Sequence, residues 1–275
     1  MSALLAVFLG LIQGVAEFLP VSSSGHLAAL QNLLGVTAAD DSHLLFDVML
    51  HLGTLVSVCV SLRRELRPII SGAAALLRGE ETRAAAPPPV RAFILIVIAT
   101  LPMLIALPFY GLIRRLFFNT PFIGFMMLLT GALLFAAPKD PKSGGKAERA
   151  LTIPDALMIG LAQAAALMPG LSRLGATVVV GVSRGAERDF AIKFSLLLSI
   201  PAILGSAVVT LSAALKNGID WGVFPPCILG FFVAAVTGLF SISGLRAAAR
   251  RVGRAPFAYY CFGAGALVIL LSVIF

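Results

Sequence analysis

Five ionisable side chains stand inside otherwise apolar stretches of the sequence: Glu17, His26, Asp47, His51 and Arg173. Around them lie Gln13, Ser22, Ser23, Ser24, Gly170, Ser172 and Thr177. Gln13 and Glu17 are four residues apart, so on a helix both look into one cavity. Pro20-Val21-Ser22-Ser23-Ser24-Gly25-His26 reads as a helix break followed by a new helix start. There, serine hydroxyls sit beside free backbone N–H groups, and such a start is an anion site. His26 follows Ser23 by three residues, one helical turn, close enough to serve as its base or as an acid. Pro169-Gly170-Leu171-Ser172-Arg173 is a second start of the same kind, now carrying a guanidinium whose fork suits phosphate.

Each feature also has a plainer reading. Glu17 and Arg173 could form a salt bridge that only holds two parts of the chain together, and the two roles are compatible. The serines could be simple caps. Asp47 and His51, four apart on one helix face, either bind each other or line the cavity. Cys59, Cys227 and Cys261 lie in apolar runs without paired spacing and read as small core residues rather than a disulfide or zinc framework.

The elements that carry these residues must lie in lipid. Of the 275 residues, 59% are hydrophobic and only 12% charged, against about 25% charged in soluble domains, and the mean hydropathy is +0.99. This excludes a soluble enzyme, a disordered chain and a nucleic-acid binder, despite a pI near 10.0. Six runs reach the roughly 20 residues that a bilayer-crossing helix takes: 44–62, 92–113, 120–137, 194–215, 223–245 and 256–275. Two others, 3–19 and 156–168, are short and end at Pro20 and Pro169. Each is followed by a Ser/Gly-rich break and a second short run, the pattern of a helix–loop–helix that enters the membrane and returns. The fold class predicted is an all-α integral membrane protein: six transmembrane helices plus two re-entrant segments, in one domain over 1–275. The 62–92 stretch is expected as a loop. Its arginines, the lysines of 138–155, Arg184, Arg188 and Lys193, and Arg246, Arg250, Arg251 and Arg254 then share one side, which the positive-inside rule makes cytoplasmic. Both termini fall outside.

The two broken segments resemble each other. Gly10-Leu11-Ile12-Gln13 matches Gly160-Leu161-Ala162-Gln163, Ser22 matches Ser172, and Gly25 matches Gly175, all at an offset of 150. Three spans follow each copy, so the second copy enters from the opposite side. This predicts an inverted-topology repeat, 1–137 and 150–275, with the breaks meeting near the midplane. A ligand for two anion-seeking helix starts in a membrane cavity is anionic at one end and lipid-compatible at the other. A lipid phosphate or diphosphate fits.

The stretch from Gln13 to His26 closely resembles the first signature of the bacterial undecaprenyl-diphosphate phosphatase family, also called bacitracin-resistance proteins. Pro169-Gly170-Leu171-Ser172-Arg173-Leu174-Gly175-Ala176-Thr177 resembles the second, and Phe194-Ser195-Leu196-Leu197-Leu198-Ser199-Ile200-Pro201 is similar to this family as well. The resemblance implies a multi-pass enzyme of the bacterial plasma membrane. Its reaction removes the terminal phosphate of undecaprenyl diphosphate at the outer side, recycling the carrier lipid for peptidoglycan and conferring bacitracin resistance. It implies a divalent cation, Mg²⁺ or Ca²⁺, with Glu17 as a ligand.

Carried over by position, Ser23 is the nucleophile, His26 its partner, Glu17 the acidic group and Arg173 the phosphate-binding arginine. Gln13, Ser22, Ser24, Gly170, Ser172 and Thr177 are substrate-binding positions. Two departures stand out. Gln13 occupies the first acidic position, and Leu174 replaces the serine that usually follows the arginine, so one hydroxyl is lost. Two steps fit this set, attack by Ser23 or attack by water. A lipid-phosphate transporter or flippase is the alternative that the inverted repeat keeps open. The small-residue run 230–238 could pack helices within one chain or between two, so a homodimer is also open.

Overall fold

Ser2 starts the first helix by accepting a hydrogen bond from Leu5 N at 3.3 Å, and α1 runs Ala3–Ala16. Pro20 cannot continue it, having no N–H to give and a ring that clashes with the preceding turn. The chain turns, and α2 begins afresh at Ser23–Leu33. The computed structural model describes residues 2–36, 42–79, 87–138, 151–217, 222, 224–251 and 255–274. Every regular element among them is helical. After α2 come α3 (Ser42–Ser61), α4 (Arg63–Leu77), α5 (Pro88–Thr100), α6 (Pro102–Ile105), a 3-10 turn (Leu107–Phe109) and α7 (Tyr110–Leu116). Then follow α8 (Thr120–Ala136), α9 (Ile153–Ala165), α10 (Arg173–Ser183), α11 (Arg188–Asn217), α12 (Phe224–Arg251) and α13 (Ala255–Ile274).

Four stretches are long and apolar enough to cross a membrane: Pro88–Leu116, Arg188–Ser212, Phe224–Gly244 and Ala255–Ile274. They coincide with four of the six runs read from the sequence. A fifth run falls on α3, which meets α4 at 89°. The sixth is α8, whose 17 residues span about 26 Å at 1.5 Å per residue. The expected loop at 62–92 is instead largely helix. α4 forms there because Ile69 is buried against the core, and because Gly72 lets the backbone come close to Val90 at the start of α5. The arginines that suggested a loop are on its exposed side: Arg63, Arg64 and Arg67 all face outward. The run at 92–113 is not one continuous helix either. Pro102 and Pro108 each remove an N–H from the ladder, dividing it into α5, α6, a 3-10 turn and α7. The lysines expected in the 138–155 loop lie outside the described residues.

The two broken segments have matching architecture. α2 and α10 are each eleven residues long and begin 150 positions apart. Ser2 caps α1, and Thr152 caps α9 through a capping box with the buried Asp155. Arg184 at the end of α10 returns to Asp155, Nε to Oδ1 at 2.8 Å, tying the two arms of the second segment together. α1 packs on α12, and α9 packs on α5. The glycines at equivalent positions make these contacts: a Cβ on Gly10 would lie 2.9 Å from Gly230 O, and one on Gly160 only 2.4 Å from Ala99 O. α8 crosses α13 where Gly124 and Gly265 each face the other's carbonyl. Small residues of this kind let helices in lipid approach to backbone contact. The small run at 230–238 works within the chain, since Gly230 meets Phe46 and Leu50 while Gly238 meets Ser57 and Phe18.

Gly160→Ala places its methyl group against the Ala99 backbone, which cannot move aside as a side chain would. The variant should unfold at a lower temperature in detergent, at a cost of about 1–3 kcal/mol. Gly111→Ala, with nothing within 4 Å of its added Cβ, should match wild type. Equal midpoints for all three proteins in a thermal melt would rule out the α9–α5 contact.

Candidate active site

α1 ends at Glu17, and the carboxylate there is buried, with the residue only 7% exposed. An unpaired carboxylate in such a place would carry a large desolvation penalty. Four side chains from four helices answer it. Gln13, one turn back on α1, donates its amide to Glu17 Oε2 at 3.0 Å. Ser23, the first residue of α2, donates its hydroxyl to the same oxygen at 2.5 Å. Arg173, the first residue of α10, donates a guanidinium N–H to Oε1. His51 on α3 brings Nε2 to 3.7 Å from Oε2. The pairing of Gln13 with Glu17 and of Glu17 with Arg173 expected from the sequence is thus present in the fold, and the second of these joins the two broken segments.

The two helix starts meet beside this cluster. Ser22 and Ser172 cap α2 and α10, accepting from Gly25 N at 3.2 Å and from Gly175 N at 3.1 Å. Gly25 packs against Gly170, where an added Cβ would lie 2.8 Å from the Gly170 Cα. Gly170 itself takes φ 97°, a conformation that glycine adopts without penalty, and a Cβ there would strike Ile123 O at 2.4 Å. Ser22 has φ 69°, the only non-glycine with positive φ among the described residues. Holding a residue there costs on the order of 1–3 kcal/mol, and such strain clusters at functional sites. Ser24 lies next to it, Oγ to Oγ at 3.4 Å.

Other expected residues point elsewhere. The sequence spacing suggested that His26 would act on Ser23, but the two do not bond. His26 Nδ1 lies 2.7 Å from Ser22 O and its Nε2 lies 2.7 Å from the hydroxyl of Tyr260. The reason is competition: a carboxylate accepts a hydroxyl proton more strongly than a neutral ring nitrogen does, so Ser23 turns to Glu17. Thr177 is buried away from the cluster, with its hydroxyl donating to Arg173 O at 2.7 Å and lying 2.6 Å from Ser195 Oγ. Leu174, where the family resemblance led to a serine, is buried in an apolar cluster with Phe18 and Ile192. Asp47 does not engage the His51 ring, because Gln31 donates to its Oδ1 at 2.7 Å while His51 Nδ1 bonds the Asp47 carbonyl. The Asp47–His51 spacing of four therefore marked a helix face, and only its histidine reaches Glu17.

Sequence reasoning missed two supports. Thr130 on α8 accepts from Ser172 N at 3.0 Å and donates to Gly170 O at 2.9 Å, fixing the turn that carries Arg173. Tyr260 on α13 holds His26. Neither sits in a motif, and no local signal marks either one. A separate cavity of about 670 Å³ opens where the end of α2 meets the start of α8, lined by Asn32, Arg115, Asn119 and Ser272. It contains none of the clustered residues.

A divalent cation has a limited donor set here. No group of three His, Cys, Asp or Glu side chains converges among the described residues. One observation does fit a cation: Gln13 Oε1 is buried without a hydrogen-bond partner, while the other end of the same amide binds Glu17. Mg²⁺ in phosphoryl-transfer sites is held by one or two carboxylates, waters and the substrate's own phosphates. Glu17 and Gln13 suit that partial role and not a complete protein cage.

Over residues 6–267 the chain matches the family model described as Bacitracin resistance protein BacA. It is 38% identical over 278 residues to the undecaprenyl-diphosphatase of Carboxydothermus hydrogenoformans, covering 99% of this chain and 98% of that protein. The undecaprenyl-diphosphatase of Halothermothrix orenii is 36% identical over 270 residues, with 98% of each chain covered. That of Rubrobacter xylanophilus is 38% identical over 275 residues, again with 98% of each covered. Such full-length similarity carries the signature segments within it, and the chain belongs to the bacitracin resistance protein family.

Proposed function

We propose that the chain hydrolyses undecaprenyl diphosphate to undecaprenyl phosphate and inorganic phosphate. It thereby recycles the carrier lipid for cell-wall synthesis and confers bacitracin resistance. The observation that carries this reading is the buried Glu17 carboxylate, held between the Ser23 hydroxyl and the Arg173 guanidinium at two capped helix starts. Phosphoryl transfer asks a protein chiefly for positioning and charge neutralisation, and this cluster offers both.

In the resting site Glu17 occupies Arg173. An entering diphosphate competes for that guanidinium, and the Ser22–Gly25 and Ser172–Gly175 helix starts offer further N–H groups to its oxygens. Ser23 Oγ attacks the terminal phosphorus as its proton passes to Glu17. The bond from phosphorus to the bridging oxygen breaks, and undecaprenyl phosphate leaves. Water then releases the phosphate from the serine, or takes the place of Ser23 in a single step. His26 is the second proton-transfer group of the site, with Nε2 the ring nitrogen that takes up or gives back a proton. Glu17 and Gln13 Oε1 would hold a divalent cation, Mg²⁺ or Ca²⁺, which supplies additional charge neutralisation when bound.

The finer membrane arrangement belongs to the same proposal. α3, α5–α7, α8, α11, α12 and α13 make six crossings, and the α1–α2 and α9–α10 pairs re-enter from opposite faces. The repeats 1–137 and 150–275 form a single domain of inverted topology. Arg63, Arg64, Arg67, Arg184 and Arg188 then share the cytoplasmic side, and the site opens to the outer side of the plasma membrane.

Release of inorganic phosphate from undecaprenyl diphosphate by purified protein in detergent tests the function directly. EDTA should stop it, and added Mg²⁺ or Ca²⁺ should restore it. Activity indifferent to EDTA removes the cation from the proposal. Arg173→Ala should lower kcat by about 10²–10³-fold, as loss of a donor to developing charge does. A raised KM with unchanged kcat would instead make Arg173 a binding residue only. Ser23→Ala separates the two routes: turnover near wild type leaves water as the attacking group, and loss of turnover together with loss of any trapped phosphoserine supports Ser23.

A further inference from the structure

His26 is gripped from both repeats. Its Nδ1 faces the carbonyl of Ser22, which can only accept, so Nδ1 carries a proton and donates it. In the neutral ring Nε2 is then bare, and the Tyr260 phenol donates to it at 2.7 Å. The two rings also stack, with centroids 5.6 Å apart and planes within 13°. Tyr260 is 234 residues away in sequence, but its placement is firm. The adjacent Cys261 is fully buried, and its Sγ lies 3.7 Å from Pro20 O. Ala258 and Cys261 pack with Ala16 and Val21, on either side of the first helix break. α13 is thus seated against the turn from which His26 projects.

We infer that Tyr260 is the positioning residue of the phosphatase site. It fixes the orientation and tautomer of His26, and its hydroxyl is the group through which Nε2 gains and loses a proton. This rests on the phosphatase reading above. A phenol hydroxyl turns about its C–O bond, so it can donate to a bare Nε2 and accept from a protonated one. The contact survives while the proton changes hands. Ser23 does not compete for Nε2, because its own proton is directed to Glu17. Tyr260 is about half exposed while His26 is mostly covered, so the phenol stands on the open side of the imidazole.

The test uses Tyr260→Phe, which keeps the ring and removes the hydroxyl, and Tyr260→Leu, which removes both, each alone and combined with His26→Gln. Tyr260→Phe should lower kcat for phosphate release about tenfold with KM little changed, less than the roughly 10²–10⁴-fold of losing an acid–base group itself, because His26 remains. Tyr260→Leu should fall further, and neither should lower the activity left in His26→Gln. Nitrogen-15 NMR of the full chain, labelled at its 3 histidines and assigned with His26→Gln, reads the contact without turnover. Wild type should show His26 protonated at Nδ1 and bare at Nε2, and Tyr260→Phe should move the Nε2 resonance. A Tyr260→Phe enzyme with wild-type kcat, an equal loss in the His26→Gln background, or an unmoved Nε2 resonance would each overturn the inference. Wild type that releases no phosphate from the lipid defeats the phosphatase reading instead, and the resonance still reports on the pair.

Discussion

One carboxylate, removed from water in the middle of an apolar molecule, sets the terms for the surrounding structure. An unpaired charge at such a position carries a penalty of several kcal/mol, so donors have to be brought to it. Gln13 comes from the same helix, Ser23 from across the first break, His51 from α3 and Arg173 from the start of α10. No single helix could deliver that set. The breaks at Pro20 and Pro169 exist where helix starts are needed, and the chain turns back on itself to place them side by side.

Placing them side by side demands close backbone approach. Gly25 against Gly170, Gly10 against Gly230 and Gly160 against Ala99 are positions where a methyl group would collide with main-chain atoms. In lipid, where apolar side chains gain little by leaving their surroundings, tight van der Waals contact and shared hydrogen bonds hold helices together. Thr130 illustrates the second: one hydroxyl satisfies a carbonyl and an N–H of the turn that carries Arg173. The precision of the polar cluster therefore depends on features with no chemistry of their own.

Much of this was legible in the sequence because it is local. Helix breaks announce themselves through proline followed by serine and glycine, and a carboxylate and a guanidinium in apolar runs are conspicuous. The offset of 150 between Ser22 and Ser172 translates into two capped helices of equal length. What was not legible came from competition and from distance. Ser23 had two acceptors within reach, and only the fold shows that Glu17 takes its proton while His26 turns to Tyr260. Thr130 and Tyr260 act across 40 and 234 residues from α8 and α13, with ordinary membrane-helix sequence around them. The helix at Arg63–Leu77 was hidden by its charge, since arginines on an exposed face resemble a loop until the packed face is known.

Positions that match at the offset of 150 also differ in what they hold. Gln13 and Gln163 are both buried, but Gln13 donates to a carboxylate and Gln163 to the sulfur of Met103 at 3.2 Å. The residue four beyond Gln163 is Leu167, where the first copy has Glu17, and Arg173 stands where the first copy has Ser23. The acid and the hydroxyl belong to one broken segment and the guanidinium to the other, so neither segment alone holds the full set. Where the first segment gathers donors around a carboxylate, the second has a leucine and sets its glutamine against a thioether, so the polar cluster forms once and needs both segments.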